Sequence, residues 1–153
     1  AAGAAEVLSL ACDVSDAGAV AALGQSIDGA FGGLDILVHC AGVIHEAPLL
    51  ETPVTDFDRV IAINLRGVFL GMKHVIPSML RRGGGRIINL ASVAGVAGLP
   101  GAIAYSASKA AVIQMTKVAA GAERDAHGDM EPKRNSGLQM VFKHRSRCSL
   151  CES

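Results

Sequence analysis

Arg86-Ile87-Ile88-Asn89-Leu90-Ala91-Ser92 is followed, thirteen residues after Ser92, by Tyr105-Ser106-Ala107-Ser108-Lys109. The first stretch reads as a strand with Ser92 just past its end, the second as the start of a helix. Tyr105 is the single tyrosine of the chain. Positions four apart on a helix share a face, so Tyr105 and Lys109 project together. An ammonium beside a phenol favours the phenolate and lowers the tyrosine pKa. A phenol tuned in this way can exchange a proton with a carbonyl or alcohol oxygen near neutral pH. Ser92 is placed to donate to that same oxygen. Tyr-x-x-x-Lys alone is a weak signal; a serine at this offset, on a strand-then-helix pattern, makes it a strong one.

Outward from this stretch, strands and helices alternate. Val7 to Ala11 is an apolar run ending at Asp13 and reads as a buried strand. Ser15 or Asp16 can cap a helix running to about Phe31, with Val20, Leu23, Ile27 and Phe31 on one face. Gly32-Gly33 ends it, and Leu34 to Val38 forms the next strand. Thr52-Pro53 suits a helix start, with Thr55 and Asp58 as a shifted capping box. Phe57, Val60, Ile61, Leu65, Val68, Met72, Val75 and Met79 then repeat at helical spacing, and Pro77 should kink the last turns. Gly83-Gly84-Gly85 lies between this helix and the strand Arg86 to Leu90, so it reads as a helix stop and turn. A loop of small residues, Val93 to Ala104, precedes a helix from Tyr105 to about Ala120. The order specifies an α/β fold with parallel strands.

These motifs, taken in order, resemble the short-chain dehydrogenase/reductase family. The similarity runs from about Val7 to Ala120. It is carried by Cys12-Asp13-Val14, His39-Cys40-Ala41-Gly42, Asn64 in a long helix, Ile88-Asn89-Leu90-Ala91-Ser92, and Tyr105 to Lys109. The family's usual Asn-Asn-Ala-Gly reads His-Cys-Ala-Gly here, so the asparagine that braces the central sheet is replaced by Cys40. The resemblance implies hydride transfer between NAD or NADP and a secondary alcohol or ketone, with the family's tetrad falling on Asn64, Ser92, Tyr105 and Lys109. It makes Tyr105 the general acid/base and Ser92 the group that holds the substrate oxygen. It makes Lys109 a ligand of the nicotinamide ribose and Asn64 the holder of a relay water. Asp13 and Val14 would meet the adenine, and Ala41 and Gly42 would let the backbone approach the adenosine ribose. Family members form homo-oligomers, and the helices beginning at Thr55 and Tyr105 resemble those used for that purpose.

The resemblance also implies a partial Rossmann-type doubly wound parallel sheet, lacking the first two strands and the last two. In the family's sheet the first two strands lie between the third and the fourth. Val7 to Ala11, as the third, would have no neighbour, and its buried backbone groups would be unpaired. The strand, glycine-rich turn and helix that hold a pyrophosphate do not occur before Asp13. Two domains follow: 1–120, a partial NAD(P)-binding unit, and 121–153, a divergent, disordered tail. Within the tail, Leu138, Met140, Val141 and Phe142 make an apolar patch, at best an unsupported strand. An inactive fragment, or an oligomerisation remnant, is the alternative to a working oxidoreductase.

Composition narrows the classes further. Half of the residues are apolar and mean hydropathy is +0.39, which suits a buried parallel sheet. Formal net charge is zero, so no electrostatic case exists for nucleic acid or a membrane surface. No apolar run reads as a membrane span, and no basic, apolar-cored leader opens the chain. Cys12 and Cys40 end strands and read as small buried residues of a reduced, cytoplasmic protein. Cys148, Cys151, His144 and His127 are poorly spaced for a structural zinc site, so no metal is expected. His39, His45 and His74 read as structural, and Arg81-Arg82 as solvated charge.

Overall fold

The computed structural model describes residues 6–125 and 139–143. Its elements are α1 (Ala17–Phe31), β1 (Ile36–His39), α2 (Val54–Ile61), α3 (Gly67–Arg81), β2 (Arg86–Leu90), α4 (Ala94–Ala97), α5 (Ile103–Asp125) and β3 (Gln139–Lys143). The sheet order is β1-β2-β3 and both pairings are parallel, Ile36 opposite Arg86 and Arg86 opposite Gln139. The expected strand–helix–strand–helix order from Leu34 onward is present, with α2 and α3 between two adjacent parallel strands.

Local chemistry explains the boundaries. The Asp16 carboxylate accepts from Ala19 N at 2.6 Å and caps α1. Gly32 closes that helix at φ 68°, a left-handed conformation that costs glycine little. The capping box expected of Thr55 and Asp58 does not form. Pro53 precedes the first turn instead, and its carbonyl accepts from Asp56 N and Phe57 N. Helix α3 runs through Pro77 to Arg81. The irregularity lies earlier, in a π turn at Ala62–Arg66 that joins α2 to α3.

Val54–Arg81 is thus one 28-residue helix, long and apolar enough to cross a membrane by length and composition. That corrects the sequence reading, in which no apolar run had that character. The same apolarity is used in packing: nearly half of its most apolar window, 44%, is buried within the protein. Val68, Met72, Val75 and Met79 of α3 pack with Ile87 of β2 and Val112 of α5 to form the core. Two exposed ion pairs, Arg81 with Asp28 and Arg82 with Asp35, hold the end of α3 against α1 and the approach to β1.

Three other expectations are corrected. Val7 to Ala11 forms no strand, and Val7 is 80% exposed. A strand needs a neighbour for its N–H and C=O groups, and this run has none among the described residues. Cys40 is exposed and Cys12 half-buried; among the described residues the sheet edge at which Cys40 lies carries no further strand. Gln139–Lys143, inside the segment read as a disordered tail, pairs with β2 along its whole length. The backbone of this segment finds an open edge of β2, which local sequence cannot reveal. His127, His144, Cys148 and Cys151, the remainder of that segment and residues 1–5 lie outside the described residues.

Candidate active site

The carboxyl end of β2 and the start of α5 meet at Lys109. Its Nζ donates to the Leu90 carbonyl at 2.7 Å, and the side chain is nearly covered. Burial pushes the Lys109 ammonium below the usual lysine range. The same Nζ lies 5.7 Å from the centroid of the Tyr105 ring, so the two side chains share a face as their spacing predicts. Tyr105 is half-buried.

Ser92 follows Leu90 by two residues. Its Oγ accepts from Ala94 N at 3.2 Å, which leaves the hydroxyl hydrogen uncommitted by that bond. Helix α4 then lies directly on α5. A Cβ at Gly95 would stand 2.7 Å from the Lys109 carbonyl carbon and 2.8 Å from Ala110 N. Glycine at this position therefore sets how near the Ser92 turn comes to the helix that carries Tyr105 and Lys109.

Asn64 is fully buried within the π turn, a local widening often found at functional sites. Its Oδ1 accepts from Val43 N at 2.8 Å, and its Nδ2 donates to the Val43 carbonyl at 2.8 Å and to Ser108 Oγ at 3.2 Å. Ser108 Oγ donates in turn to the Tyr105 carbonyl at 2.7 Å. Asn64 therefore ties the loop after β1 to the turn of α5 that bears Tyr105. Both of its amide hydrogens are engaged in doing so. Ser108 is the member that motif reading misses, although it lies between Tyr105 and Lys109 in the quoted stretch. A serine three residues after Tyr105 can bond back to that helix turn, which was the available signal.

Gly42 completes this corner. A Cβ there would be 3.5 Å from Asn64 Oδ1 and 3.8 Å from Lys109 Nζ, so Ala41-Gly42 passes beside the Lys109 amine with its own surface exposed. Asp13 is placed otherwise. Its carboxylate accepts from Ser15 Oγ at 2.7 Å and Ser15 N at 2.9 Å. Those bonds hold the carboxyl below its ordinary pKa. Asp13 is thus a turn-former, and Val14 beside it packs on Gly67, where a Cβ would meet Val14 Cγ2 at 3.0 Å. The structure brings Asn64, Gly42 and Lys109 together, and Tyr105 with Lys109; Ser92 lies at the same strand end. Among the described residues no group of three potential metal ligands occurs. A shallow groove of about 530 Å³ runs beside this region, lined by Ala47, Leu49, Leu99, Pro100 and Ser106 among others.

A parallel α/β unit that gathers a serine, a tyrosine and a lysine at the carboxyl end of a strand places them where open α/β sheets bind their ligands. Residues 1–127 match the family model described as short chain dehydrogenase, and the chain belongs to that family. It is 53% identical over 109 residues to 2-dehydro-3-deoxy-L-rhamnonate dehydrogenase (NAD(+)) of Sphingomonas sp. strain SKA58, covering 71% of this chain and 44% of the relative. It is 47% identical over 115 residues to 2-(R)-hydroxypropyl-CoM dehydrogenase of Xanthobacter autotrophicus, covering 73% and 46%. The crystal structure of an NAD+-bound xylitol dehydrogenase superposes with a TM-score of 0.70 at 41% identity, covering 72% of this chain and 43% of that one. The chain thus spans less than half the length of these relatives.

Proposed function

We propose that this chain carries the proton-handling half of a short-chain dehydrogenase site, for hydride transfer between NAD(P) and a secondary alcohol or ketone. The observation that carries the reading is the Tyr105–Lys109 pair held against the Leu90 carbonyl beside Ser92. A bound nicotinamide would supply or accept the hydride. The exposed Gly42 backbone, close to Lys109 Nζ and Asn64, suits the approach of a hydroxyl-bearing ribose.

In the oxidative direction Tyr105, as phenolate, removes the proton from the substrate hydroxyl while the carbinol hydrogen leaves as hydride. In reduction Tyr105 returns that proton to the carbonyl oxygen. Ser92 donates its free hydroxyl hydrogen to the same oxygen and fixes its position. Lys109, its amine beside the Tyr105 ring and the Gly42 backbone, would hold the ribose. Asn64 keeps the Val43 loop and the Tyr105 turn in register. Val14, packed on Gly67, and the Asp13 turn beside it would border the adenine end.

The test is a fluorescence titration of the purified chain with NADH and NADPH, followed by assay of a panel of secondary alcohols and ketones. Turnover lost in Tyr105→Phe supports the proposal. A second reading is a non-catalytic fragment that only associates with other chains. It is favoured by the many apolar side chains left open, among them Leu50 at 97% and Val96 at 76%. A folded chain that neither binds cofactor nor turns over would establish the second reading.

A further inference from the structure

His39 departs from the pattern that the family resemblance implies, and the proposed chemistry does not use it. Its ring sits between β1 and α3, with Nδ1 2.7 Å from Asn89 Oδ1. The direction of that bond follows from the next ones. Thr116 Oγ1 donates to the Val112 carbonyl at 2.7 Å, so it accepts from Asn89 Nδ2 at 2.9 Å. Asn89 Nδ2 also faces Met72 Sδ at 3.7 Å. Both amide hydrogens point that way, Oδ1 faces His39, and His39 Nδ1 carries the proton. Nε2 is then a bare acceptor. It is buried and has no hydrogen-bond partner among the described residues. It rests on the α3 backbone so closely that a Cβ at Gly71 would overlap it.

We propose that His39 is an acid-sensitive latch between the sheet and α3. A proton can enter only at Nε2, where it creates a buried imidazolium whose new N–H is aimed at helix backbone with no acceptor. The ring must then leave its seat, and the seam between β1 and α3 opens. Among the described residues the surroundings supply no compensating charge. Asn89 on β2, Gly71 and Met72 on α3 and Thr116 on α5 are neutral. On α3, Lys73 lies 6.0 Å from the exposed Phe69 ring and His74 lies toward α1 beside Gly24. On α5, Lys109 is bonded to Leu90 and Lys117 is exposed; on β2, Arg86 is exposed.

Burial, opposed in part by the Asn89 bond, holds His39 below the ordinary histidine value of 6.5. The sign follows directly. Above 6.5 the ring is neutral folded and unfolded, and the seam's stability is fully present. As pH falls below that value the unfolded chain takes up the proton first, and stability drains away until the folded pKa is passed.

The experiment is urea unfolding of the full chain between about pH 8 and pH 5, the range in which histidine titrates. His39→Asn is the test variant and His74→Gln, at a partly exposed site beside Gly24, the control. The wild type and the control should lose roughly tenfold in the folded-to-unfolded ratio for each unit by which the folded pKa lies below the ordinary one. His39→Asn should lose most of that slope. An unchanged slope in His39→Asn overturns the proposal. Should that variant not fold, the His39 ring is titrated by NMR in the wild type. A midpoint below the unfolded value supports the latch, and one at or above it overturns the idea.

Discussion

At Asn64 a single buried amide makes three hydrogen bonds, two to Val43 and one to Ser108. Replacing it by leucine removes the partners of part-buried groups on Val43 and of the buried Ser108 hydroxyl, and an orphaned buried group costs about 1–3 kcal/mol. Asn64→Leu should therefore lower the urea midpoint markedly, and Ser108→Ala, which breaks one of the three links, should lower it less. Gly95 makes a different prediction. Alanine there meets backbone of Lys109 and Ala110 rather than a movable side chain, so α4 must lift from α5. If the chain is active, Gly95→Ala should reduce kcat by about 10²-fold, the scale on which 1 Å misplacements act, with the far-ultraviolet dichroism unchanged. Kinetics beside spectra would check this. The contrast between Asn64 and Lys109 shows what the sequence discloses. Tyr105 and Lys109 could be paired from spacing because a helix brings i and i+4 together. Val43 lies twenty-one residues before Asn64, and no local period connects them.

The helices were legible for the same local reason: α1 from its Asp16 cap and Gly32 stop, and Val54–Arg81 from its apolar repeat. The π turn was not, because it inserts into that repeat without interrupting its composition. Strands were harder. Ile36–His39 and Val7 to Ala11 are alike in apolar content, yet only the first has a neighbour to bond. Gln139–Lys143 gains its strand character from the free edge of β2. Core packing gives the sharpest prediction at this scale. Met79 is fully buried between α3 and the sheet and touches the Gly85 turn, where a Cβ would stand 2.7 Å from its Sδ. Met79→Ala removes that contact and leaves a cavity, for a loss of about 2–5 kcal/mol, readable as a shift in urea midpoint. Leu50→Ala, at an almost fully exposed site, should leave the midpoint nearly unchanged.

For the molecule as a whole, zero formal charge combines with a broad set of open apolar side chains, including Val7, Leu50, Val54, Val96 and Val118. Nothing electrostatic keeps copies apart, and apolar contact draws them together. Sedimentation at rising concentration should show self-association that strengthens with sulfate rather than weakening with salt. The chain also has no tryptophan and one tyrosine, and that tyrosine sits on α5 beside Lys109. Its ultraviolet emission therefore watches one small corner of the protein, while far-ultraviolet dichroism watches all the helices at once. The two signals will trace one melting curve only if that corner and the rest of the fold come apart together. Should the emission change first, the phenol would be a built-in gauge of how far the reactive corner loosens before the sheet gives way.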